Sequence, residues 1–116
     1  GKLLFMENVI ESFVSYLHNV KKMSLNTELS YKRDLVKVAD YLNTQGIADI
    51  KKVTATNLNS YILYMEKNSF SAATISRNIA CIKSFYHFMV KEGIVTDDLS
   101  ENLKAPKVEK KLPEIL

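Results

Sequence analysis

The stretch from Ser71 to Gly93 constrains the fold of this chain more than any other segment. Its apolar residues recur at spacings of three and four, which predicts one long helix that begins after a Ser71 cap and stops at Gly93. The predicted core positions are Ile75, Ile79, Ile82, Phe85, Tyr86 and Met89. A helix that is apolar over so much of its circumference must lie at the centre of a small domain.

The rest of the chain also carries helical signals. It has only three glycines and two prolines, and both prolines fall in the last eleven residues. We therefore expect an all-α fold, an orthogonal bundle of four main helices plus a short C-terminal helix. The other predicted helices run from about Glu7 to Val20, from a Ser24 or Asn26 cap to Gln45, from a Thr54 cap to Lys67, and, as the short fifth helix, from about Asp98 to Leu103.

The predicted core outside the central helix follows the same spacing. It comprises Val9, Ile10, Phe13, Leu17 and Val20 on the first helix, Tyr31, Leu35, Val38 and Leu42 on the second, Ile47, Ile50 and Val53 in the connector, and Leu58, Tyr61, Ile62 and Met65 on the third.

Composition excludes several classes of protein. No apolar run approaches the roughly 20 residues of a membrane span. The single cysteine, Cys81, excludes an internal disulfide and a cysteine-rich metal site, and it favours a reducing, cytoplasmic setting. The net charge of +3 is mild, so any binding to phosphate must come from local clusters of cations.

Two of the predicted helices each carry a polar and basic stripe near the N-terminus. On the second helix the stripe consists of Thr27, Ser30, Arg33 and Lys37. On the fourth helix it consists of Ala73, Thr74, Arg77, Cys81 and Ser84; Ser71 is the cap of this helix and Lys83 flanks the stripe. Helix N-termini bind phosphates, and a small residue such as Ala73 permits close approach to a base edge. Arg77 then reaches guanine O6 and N7, and Thr74 a phosphate or a thymine methyl. We expect the two helix ends to lie side by side and to enter one DNA groove.

Other interpretations of the stripes stay open. Polar residues on a helix are usually just solvated, and Arg33 or Lys37 can pair with acids nearby, such as Asp34 or Asp40. A helical protein-interaction domain that docks a partner through its first helix is the second hypothesis. An independent enzyme is a distant third, because no nucleophile–base pair or metal set is visible.

Several motifs resemble those of a known family. These motifs are residues 24–35, 71–79 and 82–86, Gly93, and the tail residues 104–107 and 112–113. They resemble the N-terminal core-binding, SAM-like domain of tyrosine recombinases (phage integrases), and the resemblance is closest to Xer-type enzymes. The resemblance implies a DNA-binding module over residues 6–103. Residues 1–5 are then additions before Met6 or a disordered N-terminus, and 104–116 a linker toward an absent catalytic domain.

The resemblance also implies the partners. In this family the helical domain grips one face of a double-stranded recombination half-site and the catalytic domain grips the other, beside further recombinase protomers. It implies no cofactor, small-molecule substrate or membrane. We also expect no metal, because no ligand spacing links His18 and His87.

The family's chemistry needs a tyrosine nucleophile together with arginine, lysine and a His-x-x-Arg motif. This chain has only Arg33 and Arg77 as arginines, and neither histidine is followed by arginine at the third position. We therefore expect this chain alone not to cleave DNA.

Overall fold

Four α-helices make up the fold. The computed structural model describes residues 2–47 and 49–104, with the side chains from Glu7 onward, and no strand occurs within those ranges. The elements are α1 (Lys2–Asn19), α2 (Leu25–Thr44), a 3₁₀ turn (Ile50–Lys52), α3 (Ala55–Lys67) and α4 (Ala72–Lys91). The all-α prediction is confirmed.

The helices α2, α3 and α4 begin where their capping residues predict. The hydroxyl oxygens of Ser24, Thr54 and Ser71 accept the backbone N–H three residues on, at 3.1–3.2 Å. The Asn57 side chain completes a capping box by accepting the N–H of Thr54 at 2.8 Å. Beyond α4, Gly93 takes a φ of +75°, a conformation that glycine adopts without steric cost.

The core is centred on α4, which packs against the other three helices. Its predicted core residues are all buried, and the Phe13 ring of α1 lies 5.4 Å from the rings of both Phe85 and Phe88. The predicted core of α3 is also buried in full. Val20 does not join the core, because α1 ends at Asn19 and Val20 is 62% exposed. Tyr31 is only partly buried.

Both ends of the described chain differ from the prediction. The helix α1 begins at Lys2, five residues before the predicted start at about Glu7; the residues after Gly1 are good helix formers without glycine or proline. At the other end, residues 99–102 form turns and the short fifth helix is absent. The Asp98 side chain accepts the N–H of Ser100 at 2.9 Å, as a helix cap does, but the turns that follow are too short to propagate a helix.

The proposed linker falls almost wholly outside the described residues, which end at Lys104. Among the described helices, none has an apolar stretch long enough to cross a bilayer.

Candidate nucleic-acid interface

The helices α2 and α4 contact each other with opposed chain directions. The Cys81 thiol donates to the carbonyl oxygen of Tyr31 at 3.5 Å, Arg77 pairs with Asp34, and the Lys37 ammonium lies 5.9 Å from the ring centre of Phe70, just before α4. Residue numbers at the contact therefore increase along α2 while they decrease along α4, so the two helices run antiparallel.

The two helix N-termini consequently lie at opposite ends of this contact, and the prediction that they lie side by side is wrong. The physical reason is the path of the chain. The short α3 and its connectors bring it back beside the C-terminal half of α2, so that α4 starts near Lys37 and not near Thr27.

One residue of each polar stripe nevertheless borders this contact, Lys37 on α2 and Arg77 on α4. We call this surface the α2/α4 face; it consists of Thr27, Ser30, Arg33 and Lys37 on α2, and Ala73, Thr74 and Arg77 on α4. Arg33 lies three residues after Ser30 and four before Lys37, which places all three on one side of α2. Arg33, Lys37, Ala73 and Arg77 are exposed, and the three hydroxyl residues are partly buried.

The other two predicted residues lie apart from each other on α4, Ser71 at its N-cap and Lys83 just past its middle. Ser71 is exposed at its N-terminus. Lys83 is exposed beside a cleft that it shares with Lys21 and Met23, near the start of α2. The structure therefore spreads the predicted cations along the contact between the helices instead of gathering them at one end.

Arg77 forms a two-pronged ion pair with Asp34. Its Nε donates to Oδ2 at 3.1 Å and its Nη2 to Oδ1 at 3.3 Å. The Asp34 side chain is 2% exposed, whereas that of Arg77 is 52% exposed. The hydrogen bond to this carboxylate, and then its charge, raise the pKa of Arg77. Arg77 is thus both a structural link between α2 and α4 and part of the exposed surface.

Sequence reasoning missed this role of Asp34, which it considered only as a partner of Lys37. A signal was present: Asp34 lies three residues after Tyr31 and four before Val38, both on the core seam, so its carboxylate turns toward the interior. A carboxylate placed there needs a cation. Nothing local identifies Arg77, which is 43 residues away, as that cation.

Cys81 does not belong to the face, although the fourth-helix stripe included it. It is 0% exposed, and its thiol lies against the backbone of α2. Burial, followed by the charge of Asp34, raises the pKa of this thiol. Position 81 lies where the two helices contact each other, so a small residue is needed there.

Arg33 and Lys37 differ from Arg77 in their surroundings. Within residues 7–47 and 49–104, neither forms an ion pair, so the pairing with Asp34 or Asp40 considered above is not seen. Lys37 instead lies over the Phe70 ring, a cation–π contact. Both charges therefore remain available on the surface.

The hydroxyl groups of the face are partly engaged. Ser71 donates to the Thr74 hydroxyl at 2.9 Å, and Ser24 donates to that of Thr27 at 3.0 Å. These bonds fix the first turns of α4 and α2. No group of three potential metal-ligating side chains occurs in the part of the chain that the structure describes.

The profile described as "Phage integrase, N-terminal SAM-like domain" matches residues 10–93, and the chain belongs to that family. Among its relatives, tyrosine recombinase XerC of Pseudomonas putida (strain W619) is 33% identical over 111 residues, which cover 96% of this chain and 37% of the relative. Tyrosine recombinase XerD of Oceanobacillus iheyensis is 36% identical over 112 residues, 96% of this chain and 38% of the relative.

A putative tyrosine recombinase of Caldanaerobacter subterraneus is 38% identical over 112 residues, 95% of this chain and 38% of its own length. The chain thus spans less than two fifths of the curated relatives that it matches. No solved structure gave a significant match.

Proposed function

We propose that this chain is the DNA-binding module of a site-specific tyrosine recombinase and that it grips one face of a double-stranded recombination half-site. The contact residues in this proposal are Thr27, Ser30, Arg33, Lys37, Ser71, Ala73, Thr74, Arg77 and Lys83. Membership of the integrase family supports the choice of DNA as the partner. Other recombinase protomers on the same DNA are the second partner, and the setting is cytoplasmic.

The observation that carries the proposal is the placement of three exposed cations on one surface. Lys37 and Arg77 border the contact between α2 and α4, and Arg33 lies one turn before Lys37 on the same side of α2. Two cations without carboxylate partners, Arg33 and Lys37, suit phosphates, whose neutralisation releases counterions and dominates affinity for DNA. Ala73 leaves room for the sugar–phosphate backbone or a base edge to approach α4.

Strand cleavage belongs to the rest of the recombinase in this proposal. Tyr61 and Tyr86 are buried, and burial raises the pKa of each above its ordinary value of 10.0. Because both phenols are enclosed in the core, they cannot reach a scissile phosphate. The proposal also needs no metal, cofactor or small-molecule substrate.

The test is a titration of a labelled mixed-sequence duplex with the 116-residue chain at low and moderate salt. We expect weak binding, because only one side of the clamp is present, and we expect it to fall as salt rises, because the contacts neutralise phosphates. The variant Arg33→Ala should lower the slope of log K against log salt by about one if Arg33 contacts a phosphate, or weaken binding by about 1–3 kcal/mol if it contacts a base. The matched control is Lys52→Ala, which removes an exposed cation from outside the face.

Two results would contradict the proposal. One is equal loss of binding in Arg33→Ala and Lys52→Ala, which would show a diffuse charge effect. The other is no duplex binding even at low salt, together with concentration-dependent self-association. That pair of observations favours the protein-interaction domain.

A further inference from the structure

The three cations of the α2/α4 face are not equivalent. Among the described residues, only Arg77 is paired with a carboxylate. Asp34 engages the Nε and Nη2 of Arg77 at 3.1 and 3.3 Å, and this carboxylate is almost completely buried. Arg33 and Lys37 have no such partner in the described part of the chain. Two hydrogen bonds to one carboxylate therefore restrain the orientation of the Arg77 guanidinium, and no carboxylate restrains Arg33 or Lys37 in this way among the described residues.

The pairing leaves a defined part of the guanidinium for a ligand. A guanidinium carries five N–H donors in a planar fork, and Asp34 takes one on Nε and one on Nη2. The two N–H groups of Nη1 and the second N–H of Nη2 form no hydrogen bond with any described residue. Adjacent donors on Nη1 and Nη2 match two neighbouring acceptors, such as guanine O6 and N7.

Charge decides which acceptors suit this fork. Arg77 and Asp34 together are neutral, and water screens the buried carboxylate poorly. A phosphate that approaches Arg77 is attracted by the guanidinium and repelled by the carboxylate behind it. The acceptor edge of a base carries no net charge and escapes most of that repulsion, while it still accepts both hydrogen bonds.

We propose that Asp34 is a positioning residue that aims Arg77 at a guanine edge, so that this pair supplies sequence discrimination and Arg33 and Lys37 supply the salt-dependent affinity. This inference rests on the proposed function, because it assigns separate tasks to residues of the same DNA-binding face. It adds Asp34, which does not touch DNA, to the set of residues that set specificity.

The test is selection of duplexes from a pool with a randomised central segment, at low salt, with the 116-residue chain. The wild-type chain is expected to enrich a guanine at one position. The variants Arg77→Lys and Asp34→Asn should lose that preference. The salt slope of Arg77→Lys should change by less than about half a unit because the pair stays neutral, whereas Asp34→Asn leaves the Arg77 charge uncompensated and should steepen the slope by up to about one unit. The matched control Lys52→Ala removes an exposed cation from outside the face and should keep the guanine.

Arg77→Lys guards against a purely structural explanation, because lysine preserves the charge opposite Asp34 but lacks the fork. Circular dichroism of each variant verifies folding before selection. Retention of the guanine preference in Arg77→Lys would overturn the proposal. A chain that binds duplex but enriches no guanine, or an Arg77→Ala variant whose salt slope falls by about one, would overturn it as well. Absence of any duplex binding would instead remove the proposed function itself.

Discussion

Truncation of Arg77 should destabilise the fold even though half of its side chain is exposed. In Arg77→Ala, the Asp34 carboxylate remains buried and loses both of its charged donors. Hydrogen bonds to charged groups contribute about 1.5–3 kcal/mol, and removal of one partner from a fully buried pair costs about 3–5 kcal/mol. Because Arg77 borders solvent, its truncation admits water to the carboxylate, and we expect about 2–3 kcal/mol.

The reverse truncation should cost less. In Asp34→Ala, the guanidinium that loses its partner is already half-exposed and becomes hydrated, so we expect a loss of about 1 kcal/mol. The asymmetry follows directly from the difference in burial between the two partners. An exposed residue of the same face, Arg33, provides the control: Arg33→Ala should stay within about 0.5 kcal/mol of the wild type.

Urea unfolding at pH 7, followed by circular dichroism, gives the free energy of unfolding for the wild type, Arg77→Ala, Asp34→Ala and the double variant. The double-mutant cycle should return a coupling energy above about 0.5 kcal/mol, as for residues in direct contact. A stability of Arg77→Ala equal to that of the wild type, with no coupling, would refute the reasoning. It would show that Asp34 is not held by Arg77 in solution, and the guanine-reading proposal would lose its basis.

Three further predictions follow from the fold. Gly93→Ala should lower the free energy of unfolding by about 1–2 kcal/mol in the same urea assay, because residue 93 has a φ of +75°. The added methyl group has no atom within 4 Å, so the loss comes from backbone strain alone. The buried Cys81 thiol should react with a disulfide reagent only when the protein opens, so it should be labelled more slowly in the folded protein than in urea. Equal labelling rates in the two conditions would contradict its burial. Burial raises the pKa of this thiol. Its contribution to stability is therefore complete below its ordinary pKa of 9.0 and is lost as the pH rises above that value. Urea unfolding should accordingly give a lower free energy of unfolding at pH 10 than at pH 7.

Local signals explain why most of the fold could be predicted. Ser24, Thr54 and Ser71 each precede a run of helical spacing, and a cap acts only on the next three residues. The spacing of Leu58, Tyr61, Ile62 and Met65 identified the buried side of α3 in full, because helical periodicity alone fixes that side.

Such local signals could not predict how the helices are placed relative to one another. The opposed directions of α2 and α4 depend on how the chain turns through α3, and the link between Asp34 and Arg77 joins residues 43 positions apart. Cys81 shows the same limit, because helical spacing grouped it with Arg77 while the approach of α2 buries it. The candidate contact residues of the two helices were identified as stripes, but their arrangement on one surface came from tertiary packing.

The contact at Cys81 has a geometric consequence for any ligand that spans both helices. The thiol is the side chain that separates the backbones of α2 and α4 near Tyr31, so its width sets the distance between the two rows of side chains. A bulkier residue at this position would push the rows apart, and the same donors would then fit a differently spaced set of acceptors. A residue hidden from solvent thus determines which spacing the exposed ones can match.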